Sequence, residues 1–262
     1  MSYFIIKCGG SVLDQMHPSF FENIVLMLKG HHIKPVIVHG GGPEISSMLS
    51  KLNIESQFVE GMRVTTNHVL DVVEMTLSGS MNKSIVRKIM ECGGCAIGIS
   101  GVDGMLLQAK PIEQGSELGY VGKVHAVNEK IIESLVEESF IPVISPVGID
   151  EDSQRWNVNA DLAAAAIAKA LHAPLCLVTN VPGIMKDGSV LPKLTQLDID
   201  RLLDDQIITG GMIPKVKAVK ECLQEGISEV VILNGTEENA LIRLMNGEEI
   251  GTSISLEPSF SK

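Results

Sequence analysis

A lysine and two glycines follow directly on the first apolar run of the chain. Residues 4–6 predict a buried strand, and Lys7, Gly9 and Gly10 stand at its end. A lysine beside a core strand loses solvation unless an anion neutralises it, and glycines allow backbone N–H groups to approach that anion. The pattern indicates a phosphate site, although a surface lysine before an ordinary glycine turn has the same local sequence.

A triple glycine occupies a similar position after the next strand. Residues 35–38 predict that strand, and Gly40, Gly41 and Gly42 join it to a helix predicted over 44–51. A turn needs only one glycine, so the others leave backbone N–H groups accessible at the helix start, where anions bind favourably. The triple glycine is therefore a more specific indication of an anion site than the glycine pair after the first strand.

Charged residues elsewhere in the chain suit phosphoryl transfer, which depends on positioning and positive charge more than on covalent chemistry. Lys7 and Lys215, from opposite ends of the chain, are predicted to flank a transferring group, with Asp161 holding both lysines. Arg63, in a loop before a long helix, suits a bidentate clamp on a carboxylate. Each residue has a simpler explanation: a solvated lysine or arginine, or an acidic residue favoured at a helix N-terminus.

The distribution of apolar runs predicts an α/β protein. With 45% apolar and 3% aromatic residues, the chain favours parallel strands covered by helices on both faces. Loops at the carboxyl ends of such strands line one crevice, so the glycine turns and charged residues can converge. The central part of the chain is predicted to contain a helix over about 67–92, a hairpin over 105–109 and 119–127, a strand over 141–147 and a loop over 150–159.

Composition and charge exclude several classes of function. A formal net charge of −11, without a Lys/Arg-rich block, argues against a nucleic-acid partner. No apolar window reaches the length of a membrane span and the N-terminus lacks signal-peptide features, so we expect a cytoplasmic protein. The five cysteines predict mainly buried, reduced thiols, and Cys92 and Cys95 have no second pair to complete a metal site. No metal-binding residues are predicted.

Two common nucleotide-binding motifs are absent. Gly122-Lys123 is followed by valine and lacks the upstream glycine of a P-loop. Neither glycine cluster extends to the GxGxxG pattern of dinucleotide-binding proteins. A nicotinamide-dependent enzyme is therefore disfavoured.

Five segments resemble, in order and over nearly the whole chain, the amino-acid kinase family. They are Ile5-Ile6-Lys7-Cys8-Gly9-Gly10-Ser11, Val38-His39-Gly40-Gly41-Gly42-Pro43, Gly61-Met62-Arg63-Val64-Thr65, Asn157-Val158-Asn159-Ala160-Asp161 and Gly210-Gly211-Met212-Ile213-Pro214-Lys215-Val216. The resemblance implies a three-layer αβα sandwich with an open, mainly parallel sheet of about eight strands.

Within that family, the chain is similar to members that use ATP with Mg²⁺ to phosphorylate the γ-carboxylate of N-acetyl-L-glutamate, the second step of arginine biosynthesis. The resemblance implies a single kinase domain over 1–262. Its N-terminal lobe (about 1–174) would bind the acetylated amino acid and form a homodimer, and its C-terminal lobe (about 175–262) would bind ATP. Neither a membrane nor a nucleic acid is an expected partner.

The resemblance also implies roles for individual residues. Lys7 and Lys215 would stabilise the transferring phosphoryl group, and Asp161 would organise both lysines. The acetylated amino acid would be held by Gly41, Gly42, Arg63, Asn157 and Asn159, with Arg63 on its α-carboxylate. The nucleotide would be bound by Gly9, Gly10, Asn180, Val181, Pro182, Gly183, Ile184, Met185, Ile207, Ile208 and Thr209, with the first two glycines at the phosphates.

The chain departs from the family in two respects. Many relatives have an aspartate where this chain has Asn180, and arginine-inhibited hexameric members have an N-terminal helix before the first strand. We therefore expect a homodimer that is insensitive or weakly sensitive to arginine. Two alternatives stay open: a relative that acts on aspartate, carbamate or a nucleoside monophosphate, and a non-catalytic amino-acid sensor with the same fold.

Overall fold

The computed structural model describes residues 2–30, 33–112, 117–210 and 212–256. The strands are β1 (Tyr3–Cys8), β2 (Lys34–His39), β3 (Phe58–Val59), β4 (Met62–Arg63), β5 (Ala96–Ser100), β6 (Leu107–Pro111), β7 (Val121–Val127), β8 (Ile141–Ser145), β9 (Val147–Ile149), β10 (Arg155–Val158), β11 (Leu175–Thr179), β12 (Met185–Lys186), β13 (Ser189–Val190), β14 (Lys193–Thr195), β15 (Glu229–Asn234) and β16 (Thr252–Ser255). The α-helices are α1 (Gly10–Leu13), α2 (Ser19–Gly30), α3 (Gly42–Lys51), α4 (Asn67–Glu74), α5 (Asn82–Glu91), α6 (Glu129–Glu137), α7 (Ala160–Ala170), α8 (Gln196–Asp204), α9 (Met212–Gln224) and α10 (Ala240–Met245).

Eight strands form one open sheet in the order β14-β16-β15-β11-β1-β2-β8-β5. Every neighbouring pair is parallel except β15 and β16. The inner strands are continuous aliphatic runs because helices cover both of their faces. The prediction of an open, mainly parallel sheet of eight strands is confirmed.

Two hydrophobic cores lie on the two faces of this sheet. Successive residues of β1 alternate between them, with Ile5 in one core and Phe4 and Ile6 in the other. Helices α6 to α9 contribute to the core that contains Ile5, and helices α2 to α5 and α10 contribute to the other. The molecule is therefore a helix–sheet–helix sandwich, and no helix of the described residues is long and apolar enough to cross a membrane.

A second, four-stranded closed sheet, β10-β7-β6-β9, lies outside the main sheet. The predicted hairpin is its antiparallel pair β6 and β7. Two predictions in this region are wrong: the strand predicted over 141–147 is two strands separated at Pro146, and the loop predicted over 150–159 contains β10. Strand β10 pairs antiparallel with the preceding strand β9 and parallel with β7. The pairing with β7 is long-range and has no local sequence signal.

The long helix predicted over about 67–92 is interrupted. It consists of α4, a π-helical segment over Met75–Met81 and α5. Thr66 caps its start by accepting a hydrogen bond from the N–H of Val69 at 3.3 Å. The π-helical segment shifts the side chains that follow it around the helix axis, and it packs against the start of α3.

Candidate active site

Lys7, near the end of β1, lines a cavity of about 270 Å³. Its Nζ lies 2.8 Å from Oδ1 of Asp161, in the first turn of α7, and the two side chains are 16% and 24% exposed. Lys215 and Asn180 line the same cavity. The structure therefore brings together both predicted lysines and the predicted aspartate from three distant parts of the chain.

Lys215 lies in the first turn of α9, a turn without acidic residues. Burial lowers the pKa of its ammonium group. Among the described residues it forms no ion pair, so Asp161 pairs with Lys7 and not with both lysines. A cation at a helix N-terminus opposes the helix dipole, and an anion in the cavity would relieve this arrangement. Gly211, in the turn before this helix, lies outside the described residues.

The glycine turns meet at close range beside the cavity. Gly9 caps α1 and Gly41 caps α3. A Cβ atom on Gly10 would lie 2.7 Å from Cα of Gly41, and one on Gly40 would lie 3.6 Å from Cβ of Ala160, at the start of α7. Glycine is thus required at position 10 for close approach. Because the first N–H groups of a helix have no partner within it, α1 and α3 together present unsatisfied donors to an anion.

Arg63 is buried, with 7% of its surface exposed. Its Nη2 donates to the carbonyl of Gly42 at 3.0 Å and to Oγ of Ser46 at 2.8 Å, and its Nη1 donates to Oγ of Ser56. Its guanidinium lies 4.6 Å from the ring centre of Phe58. Burial lowers the pKa of Arg63, and within the described ranges it forms no ion pair with a carboxylate.

A buried threonine connects Arg63 with the predicted Asn157. Oγ1 of Thr65 donates to the carbonyl of Arg63 at 2.7 Å and accepts from Nδ2 of Asn157 at 3.0 Å. Asn159 has a separate role, because its Oδ1 caps α7 by accepting from the N–H groups of Asp161 and Leu162. The cap fixes the helix turn that carries the carboxylate of Asp161.

The residues predicted to bind the nucleotide are more dispersed than those predicted for catalysis. Gly9 and Asn180 line the cavity of Lys7. Ile184 and Ile208 belong to the hydrophobic core, and the N–H of Ile184 donates to Oγ1 of Thr252 at 2.8 Å. The other members follow β11 or precede α9: Val181, Pro182, Gly183, Met185, Ile207 and Thr209.

Two serines that hold Arg63 were missed in the sequence. Ser46 lies one helical turn after Gly42 on α3, a spacing that places both on one face of the helix. Ser56 lies in the segment before β3 and β4, without a motif of its own. The helical spacing from Gly42 could have predicted Ser46. Ser56 could be identified only from the fold.

His39 and Asn82 form a buried pair that contacts the triple-glycine turn at Gly40. Both side chains are fully buried. Nδ2 of Asn82 is 3.3 Å from Nε2 of His39 and 2.9 Å from the carbonyl of Val143, and Nδ1 of His39 is 3.1 Å from the carbonyl of Gly40. This geometry assigns a neutral imidazole that donates to Gly40 and accepts from Asn82.

Comparison with known proteins places these features in a family. Residues 2–234 match the model of the amino acid kinase family. An acetylglutamate kinase of Geobacillus kaustophilus is 49% identical over 97% of this chain and 96% of its own length. One of Geobacillus thermodenitrificans is 50% identical over 88% of this chain and 89% of its own. The structure of smu.665 from Streptococcus mutans UA159 is similar with a TM-score of 0.81 and 28% identity, covering 97% of this chain and 99% of that one. The chain belongs to the amino acid kinase family.

Proposed function

We propose that this protein transfers the γ-phosphoryl group of ATP to the γ-carboxylate of N-acetyl-L-glutamate, giving N-acetyl-L-glutamyl 5-phosphate in the second step of arginine biosynthesis. The observation that carries the proposal is 49% identity, over nearly the full length of both chains, to a protein named acetylglutamate kinase. The meeting of Lys7, Asp161 and Lys215 in one cavity supports it.

The reaction needs no general base. A γ-carboxylate with an ordinary pKa of about 4.3 is ionised at neutral pH and is already a nucleophile. One of its oxygens forms a bond to the γ-phosphorus, the bond from that phosphorus to the bridging oxygen breaks, and ADP leaves with the released electron pair. The barrier is the repulsion between two anions, so the protein must supply positive charge.

The cavity contains groups that fit this requirement. Lys7 and Lys215 are the two ammonium groups that line it, and Gly9, which caps α1, lies in the same lining. The described residues contain no cluster of His, Cys, Asp and Glu that could hold a metal ion. We propose that Mg²⁺ arrives bound to the phosphates of ATP, where it would shield their charge and take few ligands from the protein.

Arg63 is the proposed anchor of the α-carboxylate. It is a buried guanidinium whose partners in the described ranges are serine hydroxyls and a carbonyl, none of which balances its charge. Gly41, Gly42, Asn157 and Asn159 would complete this substrate site. The proposal assigns acetylglutamate binding and dimerisation to the lobe of about 1–174.

The lobe of about 175–262 is the proposed ATP-binding part. Gly9, Gly10, Asn180 and the segments 181–185 and 207–209 would form the nucleotide site. Because the side chains of Ile184 and Ile208 are 1% and 4% exposed, we propose that they support the site from the core and that neighbouring backbone groups bind the base. A cytoplasmic, homodimeric enzyme is part of the same proposal.

A substrate panel tests the function. ADP release from ATP and Mg²⁺ would be measured with N-acetyl-L-glutamate, L-aspartate, carbamate and a nucleoside monophosphate. We expect kcat/KM for N-acetyl-L-glutamate to exceed the others by at least about tenfold, because Arg63 and Asn157 recognise an acylated amino acid. Preference for another acceptor would reject the substrate, and no ADP release with any acceptor would reject catalysis.

A further inference from the structure

A second cavity, of about 510 Å³, lies between α1, α3, the π-helical segment and α5. We call it the α3–α5 cavity. It shares no lining residue with the cavity of Lys7. Arg63 contacts Gly42 and Ser46 of α3, whereas the cavity is lined by Glu44, Ser47 and Lys51, which project from the opposite side of that helix. The α3–α5 cavity is therefore distinct from the proposed substrate site.

Two buried polar atoms point to a ligand in this cavity. Within the described residues, Oε2 of Glu44 and Oγ1 of Thr76 are the only buried side-chain oxygen or nitrogen atoms without a hydrogen-bond partner, and both residues line the α3–α5 cavity. Thr76 is 3% exposed. An unpartnered buried polar group destabilises the folded protein, and more so when it is charged. A carboxylate oxygen accepts only, so the missing partner of Glu44 is a donor.

Two lysines bring positive charge to the lining of the cavity. Lys51 is seven residues after Glu44 on α3, about 10 Å along the helix axis, and within the described ranges it forms no ion pair. Lys88, on α5, also lines the cavity, with its Nζ 3.8 Å from Oδ1 of Asp14, another lining residue. Apolar side chains of Met48, Met81 and Ile85 complete the wall. The lining thus offers an unpartnered carboxylate oxygen, two cations and apolar surface.

We infer that the α3–α5 cavity binds a small organic zwitterion. Its ammonium or guanidinium group donates to Glu44 and Thr76, its alkyl chain lies against the apolar wall, and its carboxylate meets Lys51. The inner wall includes Gly10, where a Cβ atom would lie 2.6 Å from Oε2 of Glu44. Only the turn of Gly9 and Gly10 therefore separates this site from the cavity of Lys7.

Calorimetry on the intact chain tests the site directly. The probe is 6-aminohexanoate, a linear zwitterion, compared with hexanoate and hexylamine, which each carry one of its charges. We expect 6-aminohexanoate to bind at least tenfold more tightly than either. Glu44→Gln, which keeps the shape and removes the charge, should weaken binding of 6-aminohexanoate and hexylamine about tenfold. Lys51→Met should weaken 6-aminohexanoate and hexanoate but not hexylamine.

Controls separate this site from the active site and from a folding defect. Glu137→Gln, on the exposed side of α6, should leave binding unchanged. Thr76→Val, which keeps the volume of the side chain and removes the unpartnered hydroxyl, should weaken binding of the probe without lowering the thermal midpoint of the ligand-free protein. Absence of measurable binding, unchanged affinity in Glu44→Gln, or displacement of the probe by ATP or N-acetyl-L-glutamate would overturn the inference. None of these readouts depends on turnover, so failure here is distinguishable from failure of the proposed function.

Discussion

Lys7 and Lys215 line one cavity but differ in their charged partners. Lys7 has the carboxylate of Asp161 2.8 Å away, whereas Lys215 forms no ion pair among the described residues and has a pKa lowered by burial. A polyanion that entered the cavity would stabilise the charged form of Lys215, since opposite charge raises the pKa of an ammonium group. Asp161 keeps Lys7 in position before that anion arrives.

The two lysines should therefore both be needed for turnover. We expect Lys7→Ala and Lys215→Ala each to lower kcat on the order of a hundredfold, because each removes one charge from the transferring phosphoryl group. The measurement is ADP release at saturating substrates, with circular dichroism to verify folding. Lys217→Ala is the matched control, since Lys217 is exposed on the same helix. Near-normal kcat in either of the first two variants would remove that lysine from the mechanism.

His39 contributes to stability through its protonation state. Burial lowers its pKa to about 4, the hydrogen bond to Gly40 acts in the opposite direction, and the nearby Lys83 adds to the lowering. Between this value and the ordinary 6.5, the unfolded chain binds a proton that the folded chain does not. The free energy of unfolding should therefore fall as the pH falls through this range, and rise again with pH.

Replacement of His39 should flatten this pH dependence. His39→Asn keeps a donor for Gly40 and removes the titrating group. Between pH 7 and pH 4.5, the decrease in its free energy of unfolding should therefore be about 2–3 kcal/mol smaller than the decrease in the wild type. Urea unfolding at the two pH values measures the difference. His125→Asn, at an exposed histidine, should retain the wild-type loss. Equal losses in His39→Asn and the wild type would show that His39 titrates normally in the folded state.

At the level of elements, the π-helical segment and the start of α3 fit closely. A Cβ atom on Gly41 would overlap Sδ of Met81, whereas one on Gly42 would meet nothing within 4 Å. Gly41 has an extended φ of 172°, so contact and not backbone strain requires glycine there. The π-helical segment thereby sets the position of the turn that is proposed to bind substrate.

A double-mutant cycle tests this contact. Gly41→Ala should lower the free energy of unfolding by about 1–3 kcal/mol through overpacking, while Gly42→Ala should change it little. In a Met81→Ala background, Gly41→Ala should cost measurably less, because the closer of the two overlaps is removed and only the one with Leu77 remains. Urea unfolding of the single and double variants gives the coupling energy. Additive effects would mean that the two elements do not restrain each other.

The elements closest to the chemistry were predictable because their signals are local. The aliphatic runs of β1 and β2 and the glycines after them fix strands and turns within a few residues. The π-helical segment was not predicted, since one extra residue in a helical turn leaves the apolar pattern of 67–92 almost unchanged. Strand β10, which carries Asn157, was missed because it is short and its parallel partner β7 lies far away in sequence. The burial of Arg63 also escaped prediction, because uncharged partners such as Ser46 leave no charge pattern.

At the scale of the whole molecule, local charge works against the overall field. The chain carries a formal net charge of −11, yet its proposed substrates are anions. The attraction must come from a few cations and helix N-termini at the carboxyl ends of the strands, where screening by solvent is reduced. The sheet order matters for this reason. Strands β11, β1 and β2 are adjacent, so the end of β1 brings Lys7 close to the triple glycine that follows β2 and to Asn180, which follows β11.

The same sheet has an aliphatic edge that suits the proposed homodimer. Strand β5 is the last strand beside β8, and Ala96, Ile97 and Ile99 are partly exposed. An uncovered aliphatic edge strand presents backbone groups that can pair with another chain, and two copies related by a two-fold axis would each cover the other. We expect light scattering after gel filtration to give twice the 28.2 kDa of one chain. Ile97→Lys should shift the mass towards the monomer, whereas Leu197→Lys, at an exposed leucine of α8, should not. A monomeric wild type, or an Ile97→Lys variant that remains dimeric, would exclude this edge as the interface.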